Sequence, residues 1–282
     1  MQLIAGSALL ILGIGALIFP IANLSAIAYP ILWWGIILLL DFYNFRYWKE
    51  SLIREDAKKF YLIIIPLSAI FWLYYEVVNL FYPQWNYSGI IPGIPMRIVL
   101  SLLSFGTVIP IIIELLWVFV GPFQTIAVSA MWRTFIQNNK LIIIIMGFVC
   151  ATLPFYNTYF YANQLMWLGP MLMLMPFVAS SGKDEMEYRR FWIYAIVTGL
   201  LSGALWEFLN FWAGGKWQYT ILPDTLRIFE MPIYGYIGFV PFALSTLALY
   251  VYAKNFIKTK LTLSLSLYLI AIMLSYVFVS SI

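Results

Sequence analysis

Residues 60–79, FYLIIIPLSAIFWLYYEVVN, and residues 191–210, FWIYAIVTGLLSGALWEFLN, decide how this chain folds. Each is an apolar run of 20 residues, the length a helix needs to cross a hydrocarbon layer of about 30 Å, and each begins at a Phe. Glu76 and Glu207 both lie sixteen residues after that Phe, followed three residues later by Asn79 and Asn210. The match continues outward. Trp85-Asn86-Tyr87 is answered by Trp217-Gln218-Tyr219, Arg97-Ile98 by Arg227-Ile228 and Pro110 by Pro241. The offsets hardly vary: 207 − 76 = 131, 217 − 85 = 132, 227 − 97 = 130 and 241 − 110 = 131.

The composition supports a membrane reading. The chain is 63% hydrophobic and 10% charged, with a mean hydropathy of +0.90, which a water-soluble domain cannot carry without large exposed apolar patches. Apolar runs start near Leu3, Leu24, Phe60, Arg97, Lys140, Gln164, Phe191, Met231 and Leu261. The expected fold is therefore an all-α polytopic membrane protein of about nine transmembrane helices. A transmembrane barrel is excluded because its strands alternate in polarity, whereas these runs are continuously apolar.

A repeat of about 131 residues divides nine helices into four, four and one. Because four is even, both copies enter the membrane from the same side, so the repeats are parallel. The expected organisation is a first four-helix repeat over 1–139, a second over 140–260 and a C-terminal helix over 261–282. Of the 16 Lys and Arg, only Arg97, Lys216 and Arg227 fall in the loops of one side; the others share the opposite side. Since positive loops remain cytoplasmic, this places the N-terminus in the cytoplasm and the C-terminus outside. The net charge of +4 is then topogenic, and no nucleic-acid partner is expected. Met1-Gln2-Leu3 lacks the basic start of a signal peptide, so the first run is expected to be a retained helix. The segment Asp41 to Lys59 mixes both signs of charge and is expected to form a short surface helix.

There is no histidine, which removes His-assisted nucleophilic sites, HExxH zinc sites and His-ligated haem together. The single Cys150 permits no intrachain disulfide. No Walker or dinucleotide fingerprint occurs, and no carboxylate spacing suits a metal cluster, so neither metal nor other cofactor is expected. The candidate chemistry rests on acids inside the membrane. Such residues face a cavity, find a partner or stay protonated, and are functional candidates by default. The candidate catalytic acids are Glu76, Glu207, Glu230 and Glu114. The last lies one turn beyond Pro110, with Ser245 at the matching place (245 − 114 = 131). The candidate substrate-binding residues are Asn79, Trp85, Tyr87 and Arg97 with Trp206, Asn210, Trp217, Tyr219 and Arg227. An aromatic belt also explains Trp and Tyr near a membrane surface, but belt residues need not keep a fixed spacing from a Glu and an Asn. Pro110 and Pro241 are expected to break their helices in mid-course, freeing the carbonyls of Gly106 and Ile237.

The order Trp206-Glu207, Trp217-Gln218-Tyr219, Gly238-Phe239-Val240-Pro241 resembles the motif order of the small two-repeat membrane lycopene cyclase domains of carotenoid synthesis. That resemblance covers about a third of the chain. It implies an acid-catalysed isomerase or cyclase acting on an isoprenoid. The family carries adjacent carboxylates shortly after the Pro, whereas Phe242, Ala243 and Leu244 stand there in this chain. Three functions stay open: an enzyme or binding protein for a hydrophobic isoprenoid or lipid held in an outward-side Glu/Asn/Trp/Tyr pocket; an ion- or proton-coupled transporter or channel using the duplicated Glu; and a non-enzymatic scaffold. The expected partners are the lipid bilayer and a hydrophobic small molecule, and a homo-oligomer is compatible with the sequence.

Overall fold

The computed structural model describes residues 1–19, 24–157, 159–222 and 225–282. Residues 223–224, within the loop 213–227 that carries one Trp-x-Tyr, lie outside the described residues. The chain is 75% helical. Among the described residues six helices are long and apolar enough to cross a membrane, or seven if a bent pair is one crossing. They are Leu24–Trp48, Ala57–Phe81, Ile94–Val120, Glu185–Trp212, Ile233–Phe256 and Leu261–Val279. Three of the nine expected runs differ. The Leu3 run forms a 17-residue helix, Gln2–Ile18. The Lys140 run follows Ala130–Asn138 after an 81° bend. The Gln164 run begins as a 3-10 turn and yields only the 10-residue helix Gly169–Val178, because Gly169-Pro170 supplies no N–H at the proline.

We label the principal helices α1 (Gln2–Ile18), α2 (Leu24–Trp48), α3 (Ala57–Phe81), α4 (Ile94–Phe105), α5 (Val108–Val120), α6 (Ala130–Asn138), α7 (Lys140–Thr152), α8 (Gly169–Val178), α9 (Glu185–Trp212), α10 (Phe239–Phe256) and α11 (Leu261–Val279). The chain divides into two compact units. The first comprises Met1–Glu114, Ala204–Ile233 and Thr259–Ile282. The second comprises Leu115–Gly203 and Tyr234–Lys258.

In the first unit α1 packs on α2 through glycines: a Cβ at Gly6 would lie 3.1 Å from the Gly35 carbonyl, the close approach small residues give helices in lipid. Ala69 and Leu73 of α3 pack with Ala271, Phe278 and Val279 of α11, and the Tyr268 hydroxyl donates to the Tyr61 carbonyl at 2.6 Å. The helix pair α4 and α5 breaks at Gly106 and Thr107, four residues ahead of Pro110, as the missing proline N–H requires. The Ser68 hydroxyl repairs the break, donating to the Phe105 carbonyl at 2.7 Å and accepting from Ile109 N at 2.9 Å. Pro110 thus lies in mid-course of the Ile94–Val120 span, at the expected break and in the first turn of α5, whereas Pro241 stands in the first turn of α10, after the 3-10 turn Ile233–Gly238. A first-turn N–H has no partner within its helix, so proline is tolerated there.

The surface helix expected over Asp41 to Lys59 is not formed. Helix α2 continues to Trp48 and Asp41 is fully buried. Its carboxylate accepts from Ser51 Oγ at 2.8 Å, from Ile53 N at 3.1 Å and from the Gln2 amide. Those local donors supply what water would otherwise provide.

In the second unit β2 (Ile126–Val128) pairs in parallel with β3 (Ala179–Ser181). Helices α7 and α8 approach closely at Gly147, where a Cβ would come within 2.7 Å of Met173 N. Ser245 of α10 accepts from Met171 N at 3.1 Å and donates to the Trp167 carbonyl at 2.8 Å, satisfying the start of α8. An apolar groove of about 670 Å³ lies along α6, α7, α8 and α9, with Trp132, Phe135, Met146, Met171 and Trp192 in its wall.

One link of the first unit admits no side chain. Gly89 has φ +66°, and a Cβ there would stand 1.9 Å from the Gly214 carbonyl oxygen. Gly89→Ala is expected to lower stability by at least about 1–2 kcal/mol from the left-handed backbone alone, and by more from the clash. Gly15→Ala in α1 meets nothing within 4 Å and should instead stabilise by about 0.5–1 kcal/mol. Denaturation of the purified protein in detergent separates the two.

Candidate functional site

The two Trp-x-Tyr segments form one antiparallel ribbon, β1 (Trp85–Ser88) with β4 (Lys216–Tyr219). Trp85 stands opposite Tyr219, and Tyr87 opposite Trp217. A spacing of two is the period of a strand, so both aromatics of each segment point to one face while the intervening residue points away. Accordingly Asn86 and Gln218 are exposed.

The aromatic face meets the two acids, each five residues before the end of its helix (81 − 76 and 212 − 207). Glu76 is 1% exposed. Its Oε1 accepts from Trp72 Nε1 at 2.7 Å and from the Tyr87 hydroxyl at 2.5 Å, and its Oε2 accepts from Trp85 Nε1 at 3.2 Å. Glu207 is fully buried. Its Oε1 accepts from the Tyr219 hydroxyl at 2.8 Å and Trp217 Nε1 at 3.3 Å. Each acid therefore takes the indole and the phenol of its own Trp-x-Tyr.

The third donor separates them. Trp72 stands one turn before Glu76 on the same helical face, whereas the residue at the matching place before Glu207 is Gly203 (203 − 72 = 131). A Cβ at Gly203 would already meet the Phe239 ring, at 2.2 Å. Glu207 Oε2 consequently has no hydrogen-bond partner among the described residues. Aromatic rings gather around its neighbour Trp206 and its donor Trp217: Trp33 packs on Trp206 at 5.8 Å, Tyr29 lies edge-on to Trp217 at 5.5 Å, and Trp72 is 6.4 Å from Trp206.

The two Asn residues clamp the ribbon. Asn79 Nδ2 donates to the Trp85 carbonyl at 2.9 Å while its Oδ1 accepts from Gln84 N and Trp85 N. Asn210 treats Trp217 the same way, at 2.9 Å and 3.0 Å. The arginines hold backbone rather than acids. Arg97 donates to the Ile91 and Ile282 carbonyls, and Arg227 to those of Tyr219 and Glu230. Glu230 is paired with Lys216 Nζ at 2.8 Å. Glu114 is bound to Asn44 of α2 at 2.6 Å and has no bond to any of these site residues. Glu76, Glu207, Asn79, Asn210, Trp85, Tyr87, Trp217 and Tyr219 are thus brought together, with Trp206 in the aromatic wall.

Sequence reasoning missed Tyr29, Trp33 and Trp72. Trp72 was accessible as an i, i+4 partner of Glu76. Tyr29 and Trp33 had no such signal, since the residues 131 further on are Phe160 and Gln164. No group of three or more His, Cys, Asp and Glu able to hold a metal ion occurs among the described residues. No protein-family model, no curated protein and no solved structure matches the chain.

Two measurements test this arrangement. Asn79→Ala and Asn210→Ala each leave a buried tryptophan carbonyl and N–H unpaired, which should cost about 1–3 kcal/mol per unsatisfied group and shift the tryptophan emission to the red. Burial, and after it the neighbouring carboxylate, hold the hydroxyls of Tyr87 and Tyr219 well above the usual tyrosine range. A group whose folded value is raised contributes stability that is present below the unfolded value of about 10 and is lost as pH climbs through the folded value. Stability should therefore fall above about pH 10, and Tyr87→Phe/Tyr219→Phe should flatten that fall in an alkaline unfolding titration.

Proposed function

We propose that this chain is a two-repeat membrane protein that binds a hydrophobic isoprenoid or lipid beside Glu207, and that Glu207 is the acid of an isomerase or cyclase reaction. In this reading α1 and α8 complete the two four-helix repeats, the bent pair α6 and α7 makes one crossing, and the N-terminus is cytoplasmic. The observation that carries the functional reading is the inequality of the two acids. Three donors saturate Glu76, which makes it an acceptor that organises the ribbon. Glu207 keeps one buried oxygen without a donor, in an aromatic surround. A carboxyl oxygen in such a place is satisfied when it carries a proton and has somewhere to donate it.

The chemistry needs no cofactor. The Glu207 proton passes to one carbon of a double bond, whose π electrons form the new C–H bond. The neighbouring carbon becomes cationic, and the faces of Trp33, Trp206 and Trp217 stabilise it. Loss of a proton from the next carbon to the Glu207 carboxylate closes the cycle with the double bond moved, or with a ring if a second double bond attacks the cation first. Atoms and charge balance without an oxidant. The resemblance of Trp206-Glu207, Trp217-x-Tyr219 and Gly238-x-x-Pro241 to membrane lycopene cyclase domains supports the substrate class. The missing acid pair after Pro241 leaves Glu207 as the proton donor.

The test is mass spectrometry and absorbance of organic extracts from purified wild type, Glu207→Gln and Glu76→Gln, followed by turnover of whatever is enriched. The expected result is a specific isoprenoid or lipid in wild type, with turnover reduced about 10²- to 10⁴-fold in Glu207→Gln and stability reduced in Glu76→Gln. No enrichment over bulk membrane lipid in any of the three would overturn the proposal and favour transport.

A further inference from the structure

A second polar cluster lies in the first unit, apart from the ribbon. Asp41 and Asn44 stand three residues apart on α2, hence on one helical face, and both are fully buried. Glu114, at the far end of the first unit's stretch of α5, is also fully buried. Asn44 Nδ2 donates to Glu114 Oε2 at 2.6 Å and to the Glu114 carbonyl at 3.0 Å. Asp41, one turn before Asn44 on that face of α2, belongs to the same buried cluster.

The donors run out before the acceptors do. Asp41 is served by Ser51, Ile53 N and Gln2. The Arg54 guanidinium is engaged elsewhere: it donates to Gln2 Oε1 and lies 4.6 Å from the Phe45 ring centroid. No ion pair to Asp41 or Glu114 occurs among the described residues. Two acceptor oxygens, Glu114 Oε1 and Asn44 Oδ1, have no partner among the described residues. Two carboxylates in one buried cluster cannot both be ionised without a compensating positive charge.

We infer that Asp41, Asn44 and Glu114 form a binding site for one monovalent cation, either a proton shared by the two carboxyls or a sodium ion held by the unpartnered oxygens. The sequence supports a specific role over general helix packing. At the constant offset of 131 the counterparts are Leu172, Met175 and Ser245, so the charged cluster is confined to one half. Ser245 there is engaged with Trp167 and Met171. Apolar residues at the matching places build the corresponding part of the second half, so two carboxyls are not a packing requirement of the fold. The inference does not depend on Glu207 or on any reaction there.

The test uses the purified full chain in nanodiscs, titrated with sodium chloride against choline chloride at constant ionic strength across a range of pH. A shared proton predicts a protonated-carboxyl stretch in infrared difference spectra, indifferent to sodium and lost in Glu114→Gln. A sodium ion predicts a sodium-dependent rise in melting temperature, with apparent affinity increasing about tenfold per pH unit where proton and sodium compete. Glu114→Gln should abolish that rise. Both arms begin on the wild-type protein, so a variant that fails to fold does not remove the test, and Asn44→Ser provides a milder second variant expected to weaken sodium binding. The inference is overturned if the wild-type minus folded Glu114→Gln difference, from which the Glu207 carboxyl cancels, holds no protonated-carboxyl band and wild type shows no sodium-dependent shift, or if that shift persists unchanged in folded Glu114→Gln.

Discussion

The first unit depends on supplying hydrogen-bond donors to two carboxylates that its own helices bury. Glu76 and Glu207 lie where neither helix backbone nor lipid can solvate them, and an unsatisfied carboxylate in such a place is costly. The chain meets this with a two-stranded ribbon whose Trp and Tyr side chains carry both an apolar body and a polar tip. The body fills the space between helices and the tip reaches the acid. Asn79 and Asn210 then fix the ribbon by engaging the backbone of the very tryptophans that serve the carboxylates. Acid, aromatics and amide are one mechanical assembly, which explains why they recur together at a fixed spacing.

The two versions of that assembly differ by one residue of consequence. Trp72 gives Glu76 a third donor; Gly203 gives Glu207 none, and admits the Phe239 ring instead. The difference leaves Glu207 with one acceptor oxygen that has no donor among the described residues. At the offset of 131, Asp41, Asn44 and Glu114 correspond to Leu172, Met175 and Ser245.

The helices were legible because long apolar runs have few other fates, and the site core was legible because the Glu-Asn-Trp-Tyr spacing occurs twice. What stayed hidden depends on tertiary contacts. Asp41 sits among charged residues and reads as solvated, yet three donors from the chain around it draw it inside. Arg97 and Arg227 read as ligands for an anion, but free carbonyls at the loop ends claim them. Pro110 reads as a break in mid-span and is one; Pro241 reads the same way, but an apolar run does not show that its α-helix begins only after the 3-10 turn Ile233–Gly238. Tyr29 and Trp33 belong to the site only through the packing of α2, which no local pattern encodes.

The pairing of β1 with β4 also bears on how the protein is made. Strand β1 emerges from the ribosome with Glu76 and its own donors, but its hydrogen-bonding edge has no partner until residues 216–219 follow. An unpaired strand edge is a template for wrong association, and a contact between residues so far apart in sequence closes late. Residues 85–88 therefore keep that edge open until residues 216–219 have been made.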